Sequence, residues 1–230
     1  MLVKRSDWVV PALLILLSIV PAIGGVARMA DLAPGHVITP ANARFHASPL
    51  PIVLHIVTAL PFSLLGALQF SPALRRRGNR WHRRAGRVLA PLGLLAAASG
   101  LWMTLVYSWP PTDGRLVYFE RLVFALAMLV SLTLALVAVR RREFVAHGEW
   151  MIRGYAIGLG AGTQVLTHLP WFLTMDLHPG GYPRAVMMGA GWVINVLVAE
   201  RIIRGRRTAG VARRGISSGP GILDERAARA

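Results

Sequence analysis

The chain has 230 residues, 54% hydrophobic and 16% charged, with 26 Lys and Arg against 10 Asp and Glu and a formal net charge of +16. Its apolar residues gather in blocks of about twenty, the pattern of a membrane protein, and the basic residues sit at the ends of those blocks. No basic helix face, zinc pattern or helix-turn-helix presents them, which excludes nucleic acid as a partner, and with no cysteine any metal or cofactor ligation falls to histidine.

Lys4 and Arg5 precede an apolar run from Trp8 to about Ala30. The run is longer than a signal-peptide core, and Ala27-Arg28-Met29-Ala30 is a poor cleavage site, so it reads as a first transmembrane helix over 8–30. Pro11 and Pro21 predict bends in it. Asp31 to Pro49 forms an outer loop, and helix two runs over about 50–70, with His55 near its outer end and Gln69 at its inner end. Arg75 to Arg87, RRRGNRWHRRAGR, follows with seven arginines in thirteen residues, and a loop so basic is held on the cytoplasmic side.

Helix three, 88–109, carries Gly93 and Gly100 in register with Gly86, a smooth stripe that permits close packing. An outer turn with Pro110, Pro111, Asp113 and Gly114 leads into helix four, 116–139, where Glu120 and Arg121 are adjacent and cannot point the same way. Arg140, Arg141 and Arg142 return the chain to the cytoplasm, followed by His147. Helix five, 151–175, repeats Gly154, Gly158 and Gly162 at the spacing that lets helices approach closely, and carries Thr163, Gln164 and His168. After a loop with His178, helix six spans 184–203 with Trp192, Asn195 and Glu200, and 204–230 reads as a basic disordered tail. Trp109, Trp171 and Tyr118 read as interface anchors.

This layout puts 21 of the 26 Lys and Arg on one side, leaving Arg28, Arg44, Arg115, Arg121 and Arg184 on the other. Both termini are therefore expected in the cytoplasm. The expected fold is all-α: a polytopic six-transmembrane-helix bundle in a bacterial inner membrane, its basic face against anionic lipid headgroups.

Depth sorts the histidines. His55 lies about 8 Å and His168 about 11 Å inside the outer ends of their helices, while His82 and His147 both stand at cytoplasmic helix entrances. Bis-histidine ligation of b-type haem needs two facing helices with rings at one level, so His55 with His168, and His82 with His147, are the candidate axial pairs. Against that stands the plainer role of a hydrogen-bonded interface residue. Arg83, Arg87, Arg153, Glu149 and Glu200 gather at cytoplasmic helix ends, either as paired charges or as an anion site for headgroups or haem propionates. Asn195 is placed to hydrogen-bond a neighbouring helix, and Gln69 to do the same or to donate to a ligand. His36, His46 and His178 receive no role beyond a weak divalent-metal site at His46, and no phosphate loop, nucleophile elbow or zinc-protease motif appears.

Asn42-Ala-Arg44-Phe45, His55, Gln69-Phe70, His82-Arg83-x-x-Gly86-Arg87, His147-x-x-Trp150-Met151-x-Arg153 and Trp192-x-x-Asn195 with Glu200 form an ordered series. It resembles a bacterial family of predicted membrane proteins, domain of unknown function 2306, over about Asn42 to Glu200; the resemblance supports the topology and implies no catalytic residue. A looser likeness is to six-helix dihaem cytochromes of the b561 type, in which four histidines on helices two to five hold two haems; here helix four has no histidine. Two functions follow as expectations. One is a membrane redox protein with b-type haem, moving electrons from a quinol or a cytoplasmic donor. The other is a haem-free transporter or membrane scaffold.

Overall fold

Each apolar block becomes helix, because a backbone surrounded by hydrocarbon must satisfy its own N–H and C=O groups. The structure, a computed structural model, describes residues 6–76, 79–110, 112–175 and 179–217, and within them it is all-α. His178 and residues 218–230 lie outside the described residues. The helices are α1 Ser6–Asp31, α2 Ala43–Ala47, α3 Pro49–Ala67, α4 Pro72–Arg76, α5 Asn79–Val106, α6 Arg115–Arg140, α7 Phe144–Gly158, α8 Gly160–Thr174 and α9 Gly181–Ser217, with a 3-10 turn Leu68–Phe70 after α3.

Among the described residues, α1, α3, α5, α6 and α9 are long and apolar enough to cross a membrane. The stretch expected as one helix over 151–175 is instead two 15-residue helices, α7 and α8. They meet at Leu159, whose N–H donates to Tyr155 O at 3.0 Å while its own carbonyl accepts from Gly162 at 3.0 Å. The ladder thus tightens to a 3-10 step across the join without being cut. At the other extreme α9 runs beyond its apolar part to Ser217.

Neighbouring helices close into a ring: α3 packs on α5, α5 on α6, α6 on α7 and α9, α9 on α8, α8 on α1, and α1 back on α3. Phe62, Ala97, Met128, Leu132, Tyr155 and Ile157 fill its centre. On the outside Leu13, Leu16, Val123 and Leu197 are each at least 60% exposed, an apolar surface that only a bilayer covers. The chain is a multi-pass membrane protein.

Glycines set how tightly the ring closes. A Cβ at Gly93 would lie 2.5 Å from the Phe62 ring, one at Gly154 2.6 Å from Leu132, and one at Gly162 2.2 Å from the Leu17 carbonyl oxygen. The three regularly spaced glycines of the 154–162 stretch therefore serve different neighbours: Gly154 faces α6, Gly158 both α3 and α6, and Gly162 α1. Polar links then fix rotation. Asn195 of α9 accepts from Thr163 Oγ1 at 2.7 Å and donates to Ala156 O at 3.0 Å. The Tyr155 hydroxyl donates to Ser63 O of α3 at 2.6 Å. Tyr155→Phe is expected to cost about 1 kcal/mol, read as a lowered unfolding midpoint in detergent, because it deletes one hydrogen bond and leaves the packing ring in place.

Most of the arginine-rich stretch expected as a loop is helical, with Arg75 and Arg76 ending α4 and Arg80 to Arg87 opening α5. At that end of the bundle Arg153 forms a two-pronged pair with Glu200 and stacks 4.6 Å over Trp150. Glu149 pairs in the same manner with Arg207. Both pairs join α7 to α9. Arg83 and Arg87, in the first turns of α5, take no part in the described ion pairs.

Candidate ligand-binding cavity

At the end opposite the arginine-rich loops the ring encloses a cavity of about 370 Å³, a size typical of small-molecule sites. Residues of α2, α3, α5, α6, the α7–α8 join and α9 line it.

His55 comes from the second turn of α3. Its Nδ1 lies 2.9 Å from Ala96 O and 3.3 Å from Ser99 Oγ of α5. A carbonyl only accepts, so Nδ1 carries the proton and Nε2 is left as an acceptor. The ring lies against α5 at Gly100, where a Cβ would make an ordinary contact of 3.4 Å with His55 Cε1. The walls are aromatic and thioether: Phe124 and Trp192 stack at 4.7 Å between centroids, and Met103, Met128 and Met188 line the same space. Gln164 also lines the wall, where its amide donates to Met188 O at 3.2 Å.

The rim is charged. Asp113, its side chain 3% exposed, accepts from Arg184 Nε at 2.6 Å and forms an ion pair with Arg121 at 2.6 Å. Arg44 donates to Ser108 O at 3.1 Å and lies 4.6 Å over Phe45, whose ring also meets Arg28 at 4.6 Å. The Arg44 Nε is buried with no partner. Burial first, then the charge of Arg121, lowers the Arg44 pKa, with Asp113 acting the other way; a guanidinium starts so high that it stays charged. Tyr107 donates to Ser48 O at 2.6 Å and accepts from the Ile52 N–H at 3.2 Å. Burial raises its pKa, keeping the phenol neutral.

Of the four candidate haem ligands only His55 lines this cavity. His168 is buried in α8, with Nδ1 2.7 Å from Gln164 O and Nε2 buried without a partner, and is not on the cavity wall. His147 turns its Nδ1 to Ala135 O of α6 at 2.9 Å, and His82 sits in the first turn of α5; neither lines the cavity. Gln69 belongs to the 3-10 turn at the other end of α3. The histidines of equal depth are thus not gathered on this wall, and nothing in the geometry supports the b561 likeness. Among the described residues no group of three His, Asp or Glu could hold a metal ion. What the site offers a haem is one imidazole nitrogen with its tautomer set by a carbonyl, the pattern of ligating histidines, below a basic rim suited to propionates.

Sequence reasoning left the rim unassigned. Arg44, Asp113 and Arg121 come from three separate segments, and the available signal was the short list of arginines on the side where arginine is scarce. Adjacent Glu120 and Arg121 do diverge: Arg121 reaches Asp113, while Glu120 Oε1 faces Gly189 of α9, where a Cβ would stand 2.7 Å away.

A family model described as predicted membrane protein (DUF2306) matches residues 52–203. That range holds every cavity-lining residue except Arg44 and Phe45. No curated protein and no solved structure matches the chain.

Proposed function

Since the chain belongs to the DUF2306 family of predicted membrane proteins, we propose that it is a six-span protein of the bacterial inner membrane that binds an amphipathic small molecule in the cavity around His55. Three features support this reading. The excess of arginine at the opposite end favours the cytoplasm for that end and the outer side for the cavity mouth. Taken together, α7 and α8 extend about 46 Å, enough for the sixth crossing. The observation that carries the binding role is His55 itself: an intramembrane imidazole, placed in a cavity, with Nδ1 committed to Ala96 O. Intramembrane ionisable groups are costly without a use, and the remaining Nε2 can take a hydroxyl or N–H donor, such as a quinol offers, or a metal.

A b-type haem on His55 is the second reading, favoured by the Nδ1–carbonyl bond. Bound there, the group would supply one-electron chemistry; Ala96 would orient the ring of its ligand, and Arg44 and Arg121 would meet its carboxylates. A haem-free transporter or scaffold is the competing account of the same fold.

Two measurements separate these. The first is a reduced-minus-oxidised visible spectrum of protein purified in mild detergent from cells supplied with haem precursor. Haem ligation by His55 requires a stoichiometric b-type signal that disappears in His55→Ala and survives in His168→Ala; a colourless, folded protein rules it out. The second is mass spectrometry of small molecules co-purifying with the wild type and with Ala161→Phe, which places a ring in the cavity. A species present in the first and depleted in the second is expected. An identical extract from both, with folding intact, would overturn the binding role.

A further inference from the structure

Arginine is scarce on the outer side by the positive-inside rule, and only five of the 26 Lys and Arg are assigned to it. Four of those five, Arg28, Arg44, Arg121 and Arg184, meet at or beside the rim of one cavity. Among the described residues they face two carboxylates. Asp31 takes Arg28 at 2.6 Å and also accepts from Asn42; Asp113 takes Arg121 and Arg184. Among the described residues Arg44 has a backbone carbonyl and an aromatic face, no carboxylate, and a buried Nε with nothing to bond. The next acid among the described residues, Glu120, is turned toward Gly189. The rim therefore carries positive charge in excess at the edge of a low-dielectric space, an arrangement that is expensive until an anion completes it.

We propose that the ligand of this cavity is an amphipathic organic anion, its carboxylate or phosphate head held by Arg44 and Arg121 and its apolar body running down past Phe124 and Met128 toward His55. The inference rests on the cavity being a binding site and names the class of ligand. Both arginines line the cavity, and a guanidinium fork matches either head with paired hydrogen bonds. From Arg121 to Met128 the α6 wall descends about 10 Å, room for a medium-length chain or a small ring system below the head.

The test is equilibrium binding of radiolabelled decanoate, decyl phosphate and decanol to the full-length protein in an uncharged detergent. The wild type is compared with Arg44→Gln, Arg44→Lys and Ala161→Phe, each checked for an unchanged unfolding midpoint. Expected is at least a tenfold preference for one or both anions over decanol in the wild type. Arg44→Gln should abolish that preference, Arg44→Lys should keep most of it, and Ala161→Phe should weaken all three probes. The tighter of the two anions identifies the head as carboxylate or phosphate. Equal affinity for decanol and both anions, or a preference untouched by Arg44→Gln, overturns the anionic head while leaving the cavity reading standing. If none of the three probes binds the wild type, both readings fall together.

Discussion

Asp113→Ala is expected to cost about 3 kcal/mol of stability, the lower part of the range for stripping one partner from a buried ion pair. Its carboxylate is 3% exposed and is shared by Arg121 of α6 and Arg184 of α9. Removing it strips both guanidinium groups of the carboxylate they share. Their side chains are 32% and 27% exposed, so water relieves part of the cost, which is why the lower figure applies. Thermal unfolding in detergent reads the effect. Arg121→Gln placed on top of Asp113→Ala should recover part of the loss, since coupled charges are not additive. A fall of less than about 1 kcal/mol for Asp113→Ala would mean that solvent, not the carboxylate, balances these arginines.

Gly162→Ala is the second large effect. The added methyl would stand 2.2 Å from the Leu17 carbonyl oxygen and 2.8 Å from Leu17 Cγ, and a backbone oxygen in α1 has no rotamer by which to yield. A loss of about 1–3 kcal/mol is expected, with α1 displaced from α8. Gly86→Ala supplies the control. Nothing lies within 4 Å of a Cβ at Gly86, so there the lower backbone freedom of alanine should stabilise α5 by about 0.5–1 kcal/mol. If the two substitutions shifted the unfolding midpoint alike, close approach of α1 and α8 would not be what Gly162 provides.

Much of the fold could be read from the amino acids because hydropathy is a property of each stretch by itself. The helices around His55, Gly93 and Glu120 follow from apolar runs of membrane length, and the family from the ordered His-Arg-x-x-Gly-Arg and Trp-x-x-Asn elements. The join at Leu159 was invisible, because the residues on both sides are apolar and glycine-rich alike. The candidate site was half legible. Counting along a helix gives depth, and depth places His55 and His168 at a similar level. It does not give the direction in which a side chain points, which packing decides: the His55 ring turns to α5 through Ala96 O, whereas His168 is held by its own helix through Gln164 O. The rim needs three segments brought together by closure of the ring, and no spacing between Arg44, Asp113 and Arg121 encodes that.

The ion pairs on α9 have a mechanical meaning. Arg184 is tied to Asp113 near the start of the helix, and farther along Glu200 is tied to Arg153 and Arg207 to Glu149. Arg184 and Glu200 are about 24 Å apart along the axis, slightly less than the thickness of the hydrocarbon layer. A piston stroke of one helical turn, about 5.4 Å, would pull all three knots apart at once, whereas rocking α9 about Glu200 strains chiefly the Asp113–Arg184 knot, since Arg207 lies only about 10 Å beyond Glu200. The bundle is therefore stiff along the membrane normal and softer to tilt. If the cavity mouth widens to admit a ligand, the motion open to it is a lean of α9 about Glu200, with the Asp113–Arg184 knot as the latch that gives way.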